Sequence, residues 1–275
     1  MTTNIDNKVV AGFGDEWSRF DQTELTADEL SRMFDNYFNI FPWERLPSEA
    51  VGFDLGCGSG RWAKLVAPRV GKLYLLDPSD DALAVAKRNL AGAANVEFAL
   101  AGADNIPLDD ESCDFGYSLG VLHHIPDTEA GLRECVRKLK KGAPFLLYLY
   151  YSFDNRPLWF RAIWKISNVA RGAICRLPHG LRYIVSQLLA AIVYWPLART
   201  ALTLERLGLD VASFPLSQYR NNSFYVMRND ALDRFGTRLE QRFSRIEIRA
   251  MMERAGLEDI TFSTTSFWTA AGYKS

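Results

Sequence analysis

The stretch VGFDLGCGSGRWAKLV, Val51 to Val66, constrains this chain more than any other. A strand-like run ends at Leu55. Three glycines follow at alternate positions, and a helix pattern starts near Gly60. Glycines there let a chain leave a strand, turn tightly and bring bare backbone to a ligand. The first amides of the following helix point free N–H groups at that ligand. The spacing is Gly56-x-Gly58-x-Gly60, with Arg61 where a dinucleotide fold has its late glycine. No G-K-[ST] follows, which excludes a phosphate-binding P-loop. Asp54 stands two residues before Gly56, where dinucleotide strands stay apolar. It suits a ligand carrying an ammonium group better than one carrying a pyrophosphate.

Around this loop strand-like and helix-like runs alternate. VGFDL, KLYLLD, VEFAL, CDFGYSLG and APFLLYLYY read as five strands. Arg61 to Ala67, Ser79 to Asn89 and Thr128 to Leu139 read as helices between them. That rhythm predicts an α/β fold with a parallel sheet covered on both faces. Upstream, LTADELSRMFDNYFNIF has helical spacing with Thr26 as N-cap. After Tyr151 the rhythm breaks into a stretch rich in aromatics and arginines. It resumes with a helix from Ser244 to Ala255, which opens on a capping box (Ser244, Glu247) and stops at Gly256. LEDITFS and SFWTAAGYK then read as two closing strands. The organisation expected is an N-terminal helical lid over 1–48, a core made of 49–151 and 244–275, and a helical cap inserted at 152–243. Insertions of that length are usually lids or binding elements.

Composition narrows the class. The chain has 275 residues, 48% hydrophobic, enough for one elaborated domain with a sizeable core. A net charge of -1 gives no support for nucleic-acid binding. The four cysteines are scattered without a C-x-x-C pair, so neither a metal site nor a disulfide framework is expected. Reduced thiols and an N-terminus without a basic-then-apolar leader point to the cytoplasm.

A second acidic landmark, Asp77, ends the second strand at the offset from the glycines expected of a carboxylate that grips ribose hydroxyls. With it, the chain resembles the class I S-adenosylmethionine-dependent methyltransferases. FDLGCGSG is similar to their first motif and LYLLDPS to their ribose motif. AGADNIPLDDESCDFGYSLGVLHHIPD is similar to the third and fourth motifs of the small-molecule branch, and RAGLEDITFS with WTAAGYK to their reversed hairpin. The resemblance covers about Ala50 to Tyr151 and Ser244 to Lys274. It implies a Rossmann-like, seven-stranded, mostly parallel sheet whose last strand is antiparallel. It implies S-adenosylmethionine as cofactor, with Asp54, Gly56, Cys57, Gly58 and Gly60 around its methionine part. Asp77, Pro78 and Ser79 would lie at the ribose, Ala103 and Asp104 at the adenine edge, and Ser118 and Leu119 near the sulfonium. One departure stands out: many relatives carry G-D-A where this chain has AGA, so Gly102 replaces an acid. Asp104 or a backbone carbonyl is left to meet the adenine amine.

Gly12 to Gln22, GFGDEWSRFDQ, is similar to a segment that precedes methyltransferase domains of bacterial cell-surface polysaccharide and sugar pathways. There it would close over the methyl donor, and Trp17 is its candidate contact. The first expectation for the acceptor is therefore a sugar or glycan precursor, O-methylated. A lipid-like or secondary-metabolite acceptor is the alternative. A binding module without catalysis and a nicotinamide dehydrogenase are the other classes. The intact acids and glycines count against the first, and Asp54 with the missing late glycine against the second.

Methyl transfer is an in-line displacement that gains from holding nucleophile and methyl together. A hydroxyl or amine acceptor also gains from a base near neutral pH. His123 and His124, just past the fourth strand, are the candidates, either as base or as backbone-bonded shapers of their loop. In the cap, YRNNSFYVMR gathers Tyr219, Arg220, Tyr225 and Arg228, a group suited to an anionic acceptor. Tyr183 to Ala198 is apolar but interrupted by Gln187 and Pro196. It reads as shorter than the ~20 residues a span needs, hence as a buried cap helix. The other reading is an amphipathic element resting on the inner membrane, with Trp195 and flanking arginines at the interface.

Overall fold

The computed structural model describes residues 4–153, 156–265 and 268–275. The chain divides into two compact units. One comprises Met1–Gln22, Leu30–Ser152 and Leu239–Ser275; the other comprises Thr23–Glu29 and Phe153–Arg238.

The first unit holds a seven-stranded sheet: β1 (Val51–Leu55), β2 (Lys72–Asp77), β3 (Val96–Leu100), β4 (Phe115–Leu119), β5 (Pro144–Tyr148), β6 (Leu257–Phe262) and β7 (Thr269–Lys274). Their order is β3-β2-β1-β4-β5-β7-β6. β3 to β5 run parallel, and β7 is antiparallel to both β5 and β6. This is the Rossmann-like sheet with a reversed end that the sequence predicted. Ser266 and Phe267, the start expected for the last strand, lie outside the described residues.

Period-two alternation places the core on both faces of the sheet. Phe145 and Leu147 of β5 face one cluster, Leu146 and Tyr148 the other. The first cluster is closed by α5 (Thr128–Lys138) and α10 (Arg245–Arg254) through Leu132, Val136, Ile248 and Met252. The second is closed by the short α3 (Ala63–Val66), by α4 (Asp80–Asn89) and by Phe34 and Phe38 of α2 (Ala27–Phe38). Phe53 is fully buried at the centre. Its truncation to Ala would cost about 3–5 kcal/mol.

Caps explain where the helices start. Asp6 receives the first amides of α1 (Asn7–Arg19), Ser79 caps α4, and Asp127 caps α5. Ser244 and Glu247 complete the capping box of α10. One helix is shorter than predicted. Arg61 and Trp62 belong to the glycine loop, and Pro68 leaves only a 3-10 turn after Val66.

The second unit contains α6 (Leu158–Ile174), α7 (His179–Leu189), α8 (Trp195–Arg206) and α9 (Phe224–Gly236). A π-helical segment, Ala190–Tyr194, joins α7 to α8. The run expected to be short is therefore part of one 28-residue helix, His179–Arg206, long and apolar enough by length and composition to cross a membrane. Pro196 does not end it. Proline lacks the amide of the normal ladder, and the wider turn just before it absorbs the mismatch. Only 28% of the apolar window of this helix is buried, so the buried-helix expectation holds for one side alone. That side packs Ala190, Tyr194 and Ala198 on Met227, Ala231 and Phe235 of α9. Arg182, also buried, donates to the Gly236 carbonyl at 2.9 Å, satisfying the end of α9.

Candidate active site

β1 carries Asp54 into a buried position, and its registered partner on β4 is Tyr117. Registered residues of paired strands stand on one face, so the phenol faces the carboxyl. Burial pushes the Asp54 carboxyl up to about 8. The Tyr117 hydroxyl opposes the rise, the Asp77 charge adds to it, and Arg61 offsets part of it. The two groups act on each other through space: neither Asp54 Oδ2 nor the Tyr117 hydroxyl meets hydrogen-bond geometry with any partner among the described residues. With a pKa of about 8 this carboxyl is mostly protonated at pH 7, and a cation placed beside it would ionise it.

The loop above it is tied to β2. The amides of Gly56 and Cys57 donate to the Leu76 carbonyl at 2.7 and 3.1 Å. Gly56 and Gly58 have φ of 78° and 54°, a region side chains avoid. A Cβ on Gly58 would lie 2.7 Å from the Trp17 indole. Trp17 of α1 thus sits against the loop. Arg61 lies 5.6 Å above the Trp17 ring and 4.4 Å above Trp62.

Asp77 accepts from the Gly58 amide through Oδ2 and from the Ser79 amide through Oδ1, both at 2.9 Å. Burial raises its pKa to about 6 against these two amides. Each oxygen retains acceptor capacity for a further donor. Pro78 follows, and Ser79 Oγ accepts from Ala82 N to start α4. Ser118 is buried and donates to the Leu55 carbonyl at 3.0 Å, and Leu119 ends β4 beside it. Past β3, Ala103 is buried in the core and Asp104 is exposed. The structure therefore gathers the glycine loop, both acids, Ser118 and Trp17 in one unit.

A 3-10 turn, Leu122–His124, follows β4. Both histidines are buried. His124 Nδ1 lies 2.7 Å from the Leu239 carbonyl; a carbonyl only accepts, so that nitrogen carries the proton. The His123 ring stacks on Tyr150 at 3.9 Å and tilts on His124 at 3.9 Å. Phe13 of α1 lies 5.0 Å from His124. Neither ring nitrogen of His123 has a partner among the described residues. Burial holds its pKa well below the usual imidazole range, with His124 and Arg242 adding to the effect. His123 is therefore a neutral imidazole at pH 7.

Sequence reasoning missed four residues here: Tyr117, Tyr150, Gln241 and Arg242. Gln241 holds the histidine turn, its amide donating to the His123 carbonyl at 3.0 Å and its side chain to the Ile125 carbonyl at 2.7 Å. The Arg242 guanidinium lies 4.9 Å over Tyr150 and pairs with Glu240 at 2.8 Å.

The cap residues belong to the other unit and are engaged within it. Arg220 holds Glu205 through two bonds of 2.8 and 2.7 Å and donates to the Ser217 carbonyl. Arg228 donates to Gln187 at 2.6 Å and to the Tyr183 hydroxyl at 3.0 Å. Tyr219 lies 5.4 Å from the Tyr194 ring, and Tyr225 is buried in α9.

Comparison with known proteins finds relatives of this chain. Residues 53–147 match the family model described as a methyltransferase domain. The chain is 33% identical over 213 residues to a demethylmenaquinone methyltransferase of Clavibacter sepedonicus, covering 73% of this chain and 85% of that one. It is 27% identical over 163 residues to a Staphylococcus epidermidis protein of the same name; that match covers 53% of this chain and 66% of the relative. Among solved structures, a chain from the complex of the Haloferax volcanii Trm112 methyltransferase activator with a methyltransferase has a TM-score of 0.50 at 17% identity. It covers 94% of this chain and 96% of that one, a likeness of fold.

Proposed function

The chain belongs to the class I S-adenosylmethionine-dependent methyltransferases, and on that premise we propose that it methylates a small apolar acceptor bearing a hydroxyl. The residues fit the cofactor. Asp54 offers a buried carboxyl without a hydrogen-bonded partner at Oδ2, which an amino acid's ammonium would ionise and pair with. The glycine loop takes positive φ at Gly56, Gly58 and Gly60, which brings bare backbone to the site, and Asp77 has acceptor capacity for hydroxyls. When bound, S-adenosylmethionine supplies an electrophilic methyl group on a sulfonium. The acceptor gives the electron pair that forms the new bond to that carbon, and the C–S pair returns to sulfur.

The observation that carries the reading is His123: buried, neutral, with two unpartnered ring nitrogens in an aromatic frame. It takes the acceptor's hydroxyl proton as the nucleophile attacks. Tyr150 orients the ring, and His124, bonded to Leu239, fixes the turn. Two features support an apolar acceptor over the sugar first expected. Arg220 and Arg228, the candidate anion clamp, already have partners within the cap. The two relatives above are named for demethylmenaquinone.

An acceptor screen with labelled S-adenosylmethionine tests this, quinols and phenolic lipids against sugar nucleotides. Turnover confined to the first set, and lost in His123→Ala, is expected. Turnover on sugar nucleotides alone returns the acceptor to the sugar class.

A further inference from the structure

The cap has a surface that the chemistry above does not use. On α6, Trp159, Ile163, Ile166 and Val169 are 48, 51, 73 and 78% exposed. With Leu158 they fall on one arc of about 140°, at roughly 100° per residue. Arg161 and Lys165, both exposed, border that arc. On the helix His179–Arg206, Leu181, Ile184, Leu188, Ile192 and Trp195 are exposed along one line, and its opposite side packs on α9. Single exposed apolar residues are ordinary, but stripes of this size mark a binding surface.

Charge identifies the partner. From Arg156 to Leu204 the chain has six arginines, one lysine and no Asp or Glu, although its overall net charge is -1. Two copies meeting through this face would set like charge against like charge. Apolar stripes bordered by basic residues, with tryptophans among them, are the composition of a helix lying at a lipid–water interface. We propose that these exposed stripes of the cap rest on an anionic lipid bilayer. The apolar stripes enter the acyl boundary, and the exposed Arg161 and Lys165 meet the head-group phosphates. The long helix lies on the bilayer rather than across it, because its inner side is committed to α9 and to the Arg182–Gly236 bond. The inference goes beyond the acceptor reading, and its test needs no methyl acceptor.

The test is flotation of the full chain with phosphatidylglycerol–phosphatidylcholine vesicles and with pure phosphatidylcholine vesicles. Two double variants accompany it, Ile166→Ser/Ile184→Ser and Arg161→Glu/Lys165→Glu. All four positions are exposed, and circular dichroism with S-adenosylmethionine binding checks that the fold persists. Wild type should bind the anionic vesicles at least tenfold better than the neutral ones, less well as salt rises, and at least tenfold better than either variant. Wild type that fails to float with anionic vesicles overturns the proposal, as do variants that float equally well. A sedimentation dimer abolished by Ile166→Ser/Ile184→Ser also overturns it, by giving the face to a second copy.

Discussion

The two units use their ionisable side chains differently. In the sheet unit, Asp54 Oδ2 and both nitrogens of His123 are buried without a hydrogen-bond partner. In the cap unit, Arg182, Arg220 and Arg228 each hold partners, and it is the apolar side chains that face outward. Buried polar groups are nearly always satisfied, so exceptions need an explanation. On the function proposed above, the explanation in the sheet unit is a ligand. In the cap these three arginines bond to the cap's own groups.

This contrast sets the expected order of effects. His123→Ala should lower the methyl-transfer rate by about 10²–10⁴-fold, with affinity for S-adenosylmethionine unchanged, as single-turnover kinetics and calorimetry would read. An equal loss in both would make His123 part of the binding framework instead.

Asp54→Asn should weaken binding of S-adenosylmethionine by on the order of a hundredfold, since a charged partner is replaced by a neutral one. The same carboxyl predicts a pH dependence. Its folded pKa of about 8 lies above the ordinary 3.8, so the native state binds the extra proton across that window. Stability of the ligand-free protein then falls as pH rises from about 4 to 8. Asp77, raised to about 6, adds to the lower part of this slope. Thermal melts of Asp54→Asn should show a shallower fall than wild type.

Gly58→Ala should reduce affinity for S-adenosylmethionine by about tenfold and destabilise by about 1–2 kcal/mol, through its positive φ and the contact with Trp17. Trp17→Ala in the same chain should recover part of the stability, because it removes the clash but not the backbone strain.

The smallest effect belongs to the cap. Arg220→Ala breaks a partly exposed pair with Glu205 and should cost no more than about 1 kcal/mol, leaving KM for the acceptor unchanged. A large rise in KM would instead make Arg220 an acceptor ligand and erase the contrast between the units.

Much of the sheet unit was legible because its signals are local. Strand runs, the Ser79 cap and the Ser244–Glu247 box depend on neighbours in sequence. Tyr117 was not legible. Its relation to Asp54 comes from strand register across 63 residues, which no short pattern encodes. The same holds for Gln241, which reaches the His123 turn from across the chain. In the cap, the arginine-rich stretch suggested a ligand clamp because partners such as Glu205, Gln187 and Tyr183 lie 15 to 45 residues away. The long helix was read as too short because Pro196 and Gln187 look like breaks. A π turn and a hydrogen bond to Arg228 accommodate them.

The central claim is that Asp54 is a cation site for the methyl donor. Its most direct test is calorimetry of S-adenosylmethionine binding from about pH 6 to 8, in two buffers of different ionisation enthalpy, with wild type and Asp54→Asn. The donor's ammonium favours the ionised carboxylate, so between about pH 6 and 7 wild type should release a proton on binding and bind more tightly as pH rises, and both effects should be weaker in the variant, which keeps only the contribution of Asp77. Equal affinity and equal proton release in the two proteins, or no binding to wild type, would contradict the account.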